Sequence, residues 1–255
     1  MKIVIIGGTG LIGSQVVTGL FRETHETIAA SPSTGVNTVT GEGLANVLLG
    51  ADIVIDVANA PSFEDAAALD FFQESGTNLL AAERSAGIRH HIALSVVGTE
   101  RLQSSGYFRA KLAQEALIAN APIPYTIVRA TQFFEFMGSI ADFSTHEHVA
   151  HLTTAVMQPI ASADVAQALG DTVSAAPING MVEIAGPERA PLAEFVATWL
   201  GHIDDPRKII VENDAGYFGI AIDDGSLTPG PKARVMPTRF DQWLAAAVAG
   251  SPSRP

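Results

Sequence analysis

Tyr107 and Lys111 stand four residues apart, a spacing that puts a phenol and an ammonium on one face of a helix. A tyrosine with its ordinary pKa of about 10 exchanges protons poorly near neutrality, and a lysine cation beside it can depress that value by about 2–3. Such a pair can give a proton to an oxygen on which negative charge builds, as when hydride reaches a carbonyl carbon. Ser95 follows the short apolar stretch His91 to Leu94, and its hydroxyl can hydrogen-bond the same oxygen. The pattern predicts Tyr107 as acid/base, Lys111 as its tuner and Ser95 as an orienting donor. Because Tyr-x-x-x-Lys also arises by chance, its position directly after a strand carries the argument.

A second constellation lies at the start of the chain. Gly7-Gly8-Thr9-Gly10-Leu11-Ile12-Gly13 follows the β-branched run Ile3 to Ile6 and opens a stretch of helical spacing, Leu11 to Phe21. The first glycine permits a tight turn, the second lets a pyrophosphate approach the backbone, and the third lets helix and strand pack closely. The helix start then offers free N–H groups and its dipole to the phosphates. Gly7, Thr9, Gly10, Leu11 and Ile12 are therefore the expected dinucleotide-binding residues.

An acidic residue at the end of the second strand would accept the ribose hydroxyls of NAD, but Ala29-Ala30-Ser31-Pro32-Ser33-Thr34 stands there instead. With no carboxylate to repel a 2′-phosphate and hydroxyls to donate to it, Ser31 and Ser33 favour NADP(H) over NAD(H). The arginine clamp that a phosphate prefers is missing, and the two serines read equally well as a proline-containing turn.

The elements that must position these residues alternate. Strands are expected at Ile3 to Ile6, Thr27 to Ala30, Val36 to Val39, Ile53 to Val57, His91 to Leu94 and Tyr125 to Val128. Helices are expected at Leu11 to Phe21, Glu64 to Ala86 and Tyr107 to Ala119. This rhythm predicts an α/β fold, a Rossmann-type doubly wound parallel sheet. After Arg129 the rhythm loosens into helices at Phe133 to Phe143, Asp164 to Val173 (Ser162 capping), Leu192 to Leu200 and Arg239 to Val248 (Thr238 capping), with strands at Met181 to Ala185 and Ile209 to Val211. We expect a dinucleotide-binding core over residues 1–130 and a smaller substrate lobe over 131–255, interwoven with the core into one folded unit. Residues 250–255 are expected to be disordered.

Ser95, Tyr107 and Lys111 together resemble the Ser, Tyr-x-x-x-Lys constellation of the short-chain dehydrogenase/reductase superfamily. The stretches Leu94-Ser95-Val96-Val97-Gly98, Tyr107 to Lys111 with Glu115, Tyr125-Thr126-Ile127-Val128-Arg129, Asp164-Val165-Ala166 and Ala185-Gly186-Pro187-Glu188 are similar to its atypical, NmrA-like NAD(P)H-binding branch over nearly the whole chain. The resemblance implies that Lys111 also holds the nicotinamide ribose and that Ala58 and Asn59 line it. It further implies that Ala130, Gln132 and Phe133 pass the nicotinamide on the way to the substrate lobe. Many members of that branch lack the tyrosine and sense cofactor without turning it over, so retained Tyr107 favours an enzyme. Three readings stay open at this point: a reductase or dehydrogenase of a small, rather apolar carbonyl or alcohol, a non-catalytic NAD(P)-sensing regulator, and an epimerase or dehydratase that uses the same three residues with tightly held cofactor.

Composition narrows the classes. A formal net charge of −12 with no basic run argues against a nucleic-acid partner, and 47% hydrophobic residues imply a sizeable core. Absent cysteine removes thiolate chemistry and fits a reducing compartment. No apolar run approaches a membrane span of ~18 residues, so a cytoplasmic monomer or homodimer is expected, with a small-molecule substrate and no membrane partner. His146, His148 and His151 have only Glu147 beside them and read as a solvated loop, so no metal is expected.

Overall fold

Four consecutive β-branched or long aliphatic residues cannot be solvated on either face, and Lys2–Ile6 accordingly forms a buried strand, β1. The computed structural model describes residues 1–22 and 25–250; the expectation for residues 251–255 lies outside them. The chain divides into two compact units, Met1–Ala130 with Val165–Val182, and Thr131–Asp164 with Glu183–Pro255.

In the first unit β1 is followed by α1 (Leu11–Arg22), β2 (Glu26–Ala30), α2 (Leu44–Leu48), β3 (Ile53–Asp56), α3 (Asp65–Ala86), β4 (His90–Val96), α4 (Gly106–Asn120) and β5 (Tyr125–Ala130). Helix α1 buries Ile12, Val16 and Leu20, four residues apart, and α3 buries Ala68, Phe72, Gly76, Leu79 and Glu83. Gly87 ends α3 in the left-handed region at φ 72°, its N–H closing on the Arg84 and Glu83 carbonyls. Beyond β5 come α5 (Met137–Phe143), β6 (Thr145–His146), β7 (Val149–Leu152), β8 (Val156–Met157), α6 (Ser162–Val173), β9 (Gly180–Ala185), β10 (Ala190–Pro191), α7 (Leu192–His202), β11 (Lys208–Val211), β12 (Arg234–Val235) and α8 (Phe240–Gly250).

The central sheet has seven strands in the order β12-β9-β5-β4-β3-β1-β2. Its neighbours run parallel, with Ile3 to Ile6 facing Ile53 to Asp56 on one side and Lys2 to Ile6 facing Glu26 to Ala30 on the other. Strand order therefore reverses at β1, and the crevice beyond the carboxyl ends of β1 and β3 is where open α/β sheets bind ligands. This is the expected doubly wound α/β architecture.

Three expectations are corrected. Val36 to Val39 is not a strand. Gly35, Gly41 and Gly43 take φ of 82°, 80° and 76°, and the Asn37–Glu42 bridge doubles the segment back into a compact loop leading to α2. Phe133 to Phe143 is not one helix either. Phe133 is extended and bridges to Ile160, a 3-10 turn covers Phe134–Phe136, and α5 begins at Met137. Thr238 gives its N–H and hydroxyl to Asp164 rather than to α8.

The second unit has its own core, an aromatic group in which Phe134 packs on Phe240 and Trp243, and Phe195 on Phe240. Two small sheets, β11-β7-β6 and β10-β8, complete it. Among the described residues no helix is long and apolar enough to cross a membrane.

Candidate active site in the first unit

The glycine loop turns at Gly7, where φ is 79° and a Cβ would come within 2.9 Å of the Ala58 nitrogen. A Cβ on Gly13 would collide with the Gly7 carbonyl oxygen, so the chain's own packing demands both glycines. Gly10 differs. A Cβ there would meet only the Gly7 oxygen, at 3.3 Å, and Thr9, Gly10 and Leu11 are exposed while Ile12 is buried beneath them. A glycine whose side-chain space faces outward, next to the free N–H groups of a 12-residue helix, fits a loop that admits a pyrophosphate.

At the end of β2 the hydroxyls of Ser31 and Ser33 hydrogen-bond each other at 2.8 Å. The Ser31 N–H donates to Thr34 Oγ1, which in turn donates toward the Ala29 and Ser31 carbonyls. A 3-10 turn over Pro32–Thr34 thus holds a pair of adjacent hydroxyls beside a strand end that carries no acid.

Ala58 and Asn59 follow β3, with Ala58 against Gly7. The Tyr107 hydroxyl donates to Asn59 Oδ1 at 3.1 Å. The phenol ring is half-buried among Phe63, Phe72 and Phe108, with ring centres at 5.3, 6.3 and 5.9 Å. Burial pushes Tyr107 up to about 12, offset in part by the Asn59 bond. This is opposite to the depression expected from Lys111. The ammonium is directed elsewhere: Lys111 Nζ donates to the Leu94 carbonyl at 2.9 Å and to Gln114 Oε1, and it lies 4.6 Å from the centre of the Phe72 ring. Burial brings Lys111 down to about 8, against the opposing charges of Asp56 and Glu115.

Ser95 is likewise committed. Its hydroxyl donates to Glu115 Oε1 at 2.6 Å. Glu115 also takes two bonds from Arg129, at 2.9 and 2.6 Å, and Arg129 reaches Glu100 at 2.8 Å. No hydrogen bond joins Ser95, Tyr107 and Lys111 to one another. The structure brings Tyr107 to Asn59 and Lys111 to Gln114, and it sets Ser95 into a buried ion pair. Sequence reasoning missed Asp56 and Gln114, and quoted Glu115 and Arg129 without a role.

Ala130 is buried at the end of β5, its carbonyl accepting from Val97 at 2.9 Å. In the second unit Gln132 is buried, and its side-chain oxygen and nitrogen have no hydrogen-bond partner among the described residues. Phe133 stacks on Phe136 at 5.3 Å, whereas Phe134 is fully core. Also in that unit, His151 pairs with Glu212 at 3.2 Å while His146 and His148 are exposed.

Comparison with known proteins adds the following. A family model described as NAD(P)H-binding matches residues 7–175. The Photosystem II assembly factor Ycf39 of Synechocystis sp. is 24% identical over an alignment of 149 residues, with 53% of this chain and 46% of that protein covered. The chain thus spans about half the length of this curated relative. The solved structure of dTDP-4-dehydrorhamnose reductase from Bacillus anthracis in complex with NADP superposes with a TM-score of 0.77 at 14% identity, covering 98% of this chain and 99% of that one. A short-chain dehydrogenase/reductase superfamily protein from Agrobacterium tumefaciens with bound NAD gives 0.70 at 15% identity, covering 98% and 96%. These likenesses concern the fold.

Proposed function

Because this chain belongs to the NAD(P)H-binding family, we propose that it is an oxidoreductase that passes hydride between a nicotinamide dinucleotide and a small, rather apolar carbonyl or alcohol, with Tyr107 as acid/base. One observation carries the reading. Gly7 packs against Ala58, and the next residue, Asn59, holds the Tyr107 hydroxyl, so the phosphate loop and the phenol share one edge of the sheet. The N–H groups of Leu11 and Ile12 at the helix start, beside exposed Thr9 and Gly10, would hold the pyrophosphate, and Ala58 and Asn59 the adjoining ribose.

When bound, the dihydronicotinamide supplies hydride. The chain's part is the proton. Tyr107 is protonated throughout the neutral range and can give its hydroxyl proton to an oxygen that becomes an alkoxide. The raised value keeps the phenol protonated near neutrality, so the site as it stands offers a proton rather than a base. Phe63, exposed and edge-on to the Tyr107 ring, offers an apolar surface beside the donor. Ser31 and Ser33 support NADP(H) over NAD(H), since paired hydroxyls can donate to a 2′-phosphate. Ala130, at the end of β5 in the first unit, is a candidate for the nicotinamide end, and a cytoplasmic monomer or homodimer is the form we propose.

A second reading has its own support. Ser95 and Lys111 are both engaged inside the protein, as suits a site that binds cofactor and senses it without turnover. Titration with NADPH and NADH by fluorescence, then oxidation of the preferred form across aldehydes, ketones and quinones, separates the two. Turnover abolished by Tyr107→Phe supports the reductase. Tight binding with no turnover on any panel member supports the sensor, and no binding of either nucleotide refutes both.

A further inference from the structure

Asp56, at the end of β3, is buried and accepts on both carboxylate oxygens. Oδ1 takes the Ala58 N–H at 3.0 Å, which shapes the turn carrying Asn59, and Asn59 accepts from Tyr107. Oδ2 takes Gln114 Nε2, also at 3.0 Å, from the interior face of α4. The opposite end of that carboxamide, Oε1, accepts from the Lys111 ammonium. Four residues from β3, its following turn and α4 are therefore joined through a single carboxylate.

The polarity of this chain of bonds is forced. Asp56 accepts on both of its oxygens, whereas a carboxamide has one donating end and one accepting end. While Asp56 takes the NH2 of Gln114, the Gln114 oxygen must face the other way, where only a donor is tolerated. Buried with Gln114, the ammonium meets that need and donates also to the Leu94 carbonyl. We propose that Asp56 and Gln114 are positioning residues of this site: Asp56 sets the orientation of Gln114, Gln114 places the Lys111 ammonium, and the other oxygen of Asp56 holds the turn through which Asn59 orients Tyr107. That Lys111 and Tyr107 serve a cofactor site rests on the function proposed above, but the tether does not.

The charged groups around Lys111 are Asp56 from β3 and Glu115 from its own helix, while β4 contributes the Leu94 carbonyl and α3 the Phe72 ring. The protein's four lysines, labelled with 15N at Nζ, are titrated by NMR in wild type, Asp56→Asn, Gln114→Met and the double variant. Lys111 is recognised by the signal lost in Lys111→Met. Asparagine can offer its own NH2 to Gln114, letting the carboxamide reverse and turn a donor toward the ammonium. We expect each single change to lower the Lys111 midpoint by about one pH unit, and NADPH dissociation constants to rise severalfold. The double variant should go no further than Asp56→Asn, which removes both the carboxylate charge and the tether.

Gln114→Met keeps the Asp56 charge, so a filler role for Gln114 would lower its melting temperature and leave its Lys111 midpoint in place. That outcome, or additive shifts in the double variant, overturns the tether. Should Asp56→Asn not fold, the near-isosteric Gln114→Met must still lower the midpoint, and an unmoved midpoint there is equally fatal. If wild type binds no dinucleotide yet the midpoints shift as described, the tether stands and the proposed function falls.

Discussion

A phenol whose pKa lies near 12 keeps its proton at every pH at which the protein is expected to work, so its value as a donor depends on where it is held. Asn59 does the holding here, and Tyr107→Phe removes the proton without removing the ring. Turnover should fall by about 10²-fold or more, while the NADPH dissociation constant, read by fluorescence, stays near the wild-type value. Lys111 lends itself to a test by pH. Its value near 8 lies below the ordinary lysine value, so the unfolded chain holds the extra proton between about 8 and 10.5, and folding gains stability as pH rises through that window. Loss of the ammonium should weaken dinucleotide binding over the same range. Melting temperature and cofactor affinity should therefore move in opposite directions relative to Lys111→Met, and parallel movement would contradict this account. The Tyr-x-x-x-Lys spacing was legible because helical periodicity is local. The direction of each side chain was not, since Gln114 and Asp56, which decide it for Lys111, lie 58 residues apart.

At the scale of elements, the glycine loop separates two requirements that the sequence pattern merges. Gly13→Ala would drive a methyl into the Gly7 carbonyl and should lower thermal stability markedly. Gly10→Ala should fold with a nearly unchanged melting temperature and lose dinucleotide affinity, because its methyl points where the phosphates are expected. Equal losses of stability from both would show that the space at Gly10 serves the fold alone. The Ser95–Glu115–Arg129 cluster joins β4, α4 and β5. Arg129→Met strands the Glu115 carboxylate in the interior and should cost about 3–5 kcal/mol in denaturant unfolding. Glu115→Gln combined with Arg129→Met should recover part of that loss, and a double variant as unstable as Arg129→Met would refute the stranded-charge explanation. Ser95 looked like a substrate donor from its place at a strand end. A carboxylate 20 residues on claims it, a pairing that no local pattern announces.

For the whole molecule, two adjacent histidines at the start of β4 point to opposite faces of the sheet. His90 bonds Thr126 at 2.9 Å, and burial, with the charge of His91 adding to it, brings it down to about 4. His91 sits against buried Glu83 at 2.9 Å. Burial opposes its charge, but the Glu83 carboxylate and hydrogen bond outweigh that and raise it. The folded-state pKa of His90 is below its unfolded value of about 6.5, so the unfolded chain takes up the proton first. Stability is then lost as pH falls from about 6.5 to 4, with no further loss from this group below 4. The acid limb of a melting-temperature profile should be shallower over that window in His90→Gln, and an unchanged limb would assign acid sensitivity elsewhere.

What the sequence determined by itself is what short-range rules govern. Strand–glycine–helix at the N-terminus dictates a tight turn into an exposed helix start, β-branched runs dictate buried parallel strands, and the alternation of the two dictates a doubly wound sheet. Tertiary structure decided which polar groups meet. Val36 to Val39 has the composition of a strand, yet three left-handed glycines around it turn the chain back. Tyr107 and Lys111 share a helix face, yet one hydroxyl turns to Asn59 and one ammonium to Gln114. A side chain's final partner depends on residues brought close only when the sheet closes, and on which buried donor would otherwise lack an acceptor.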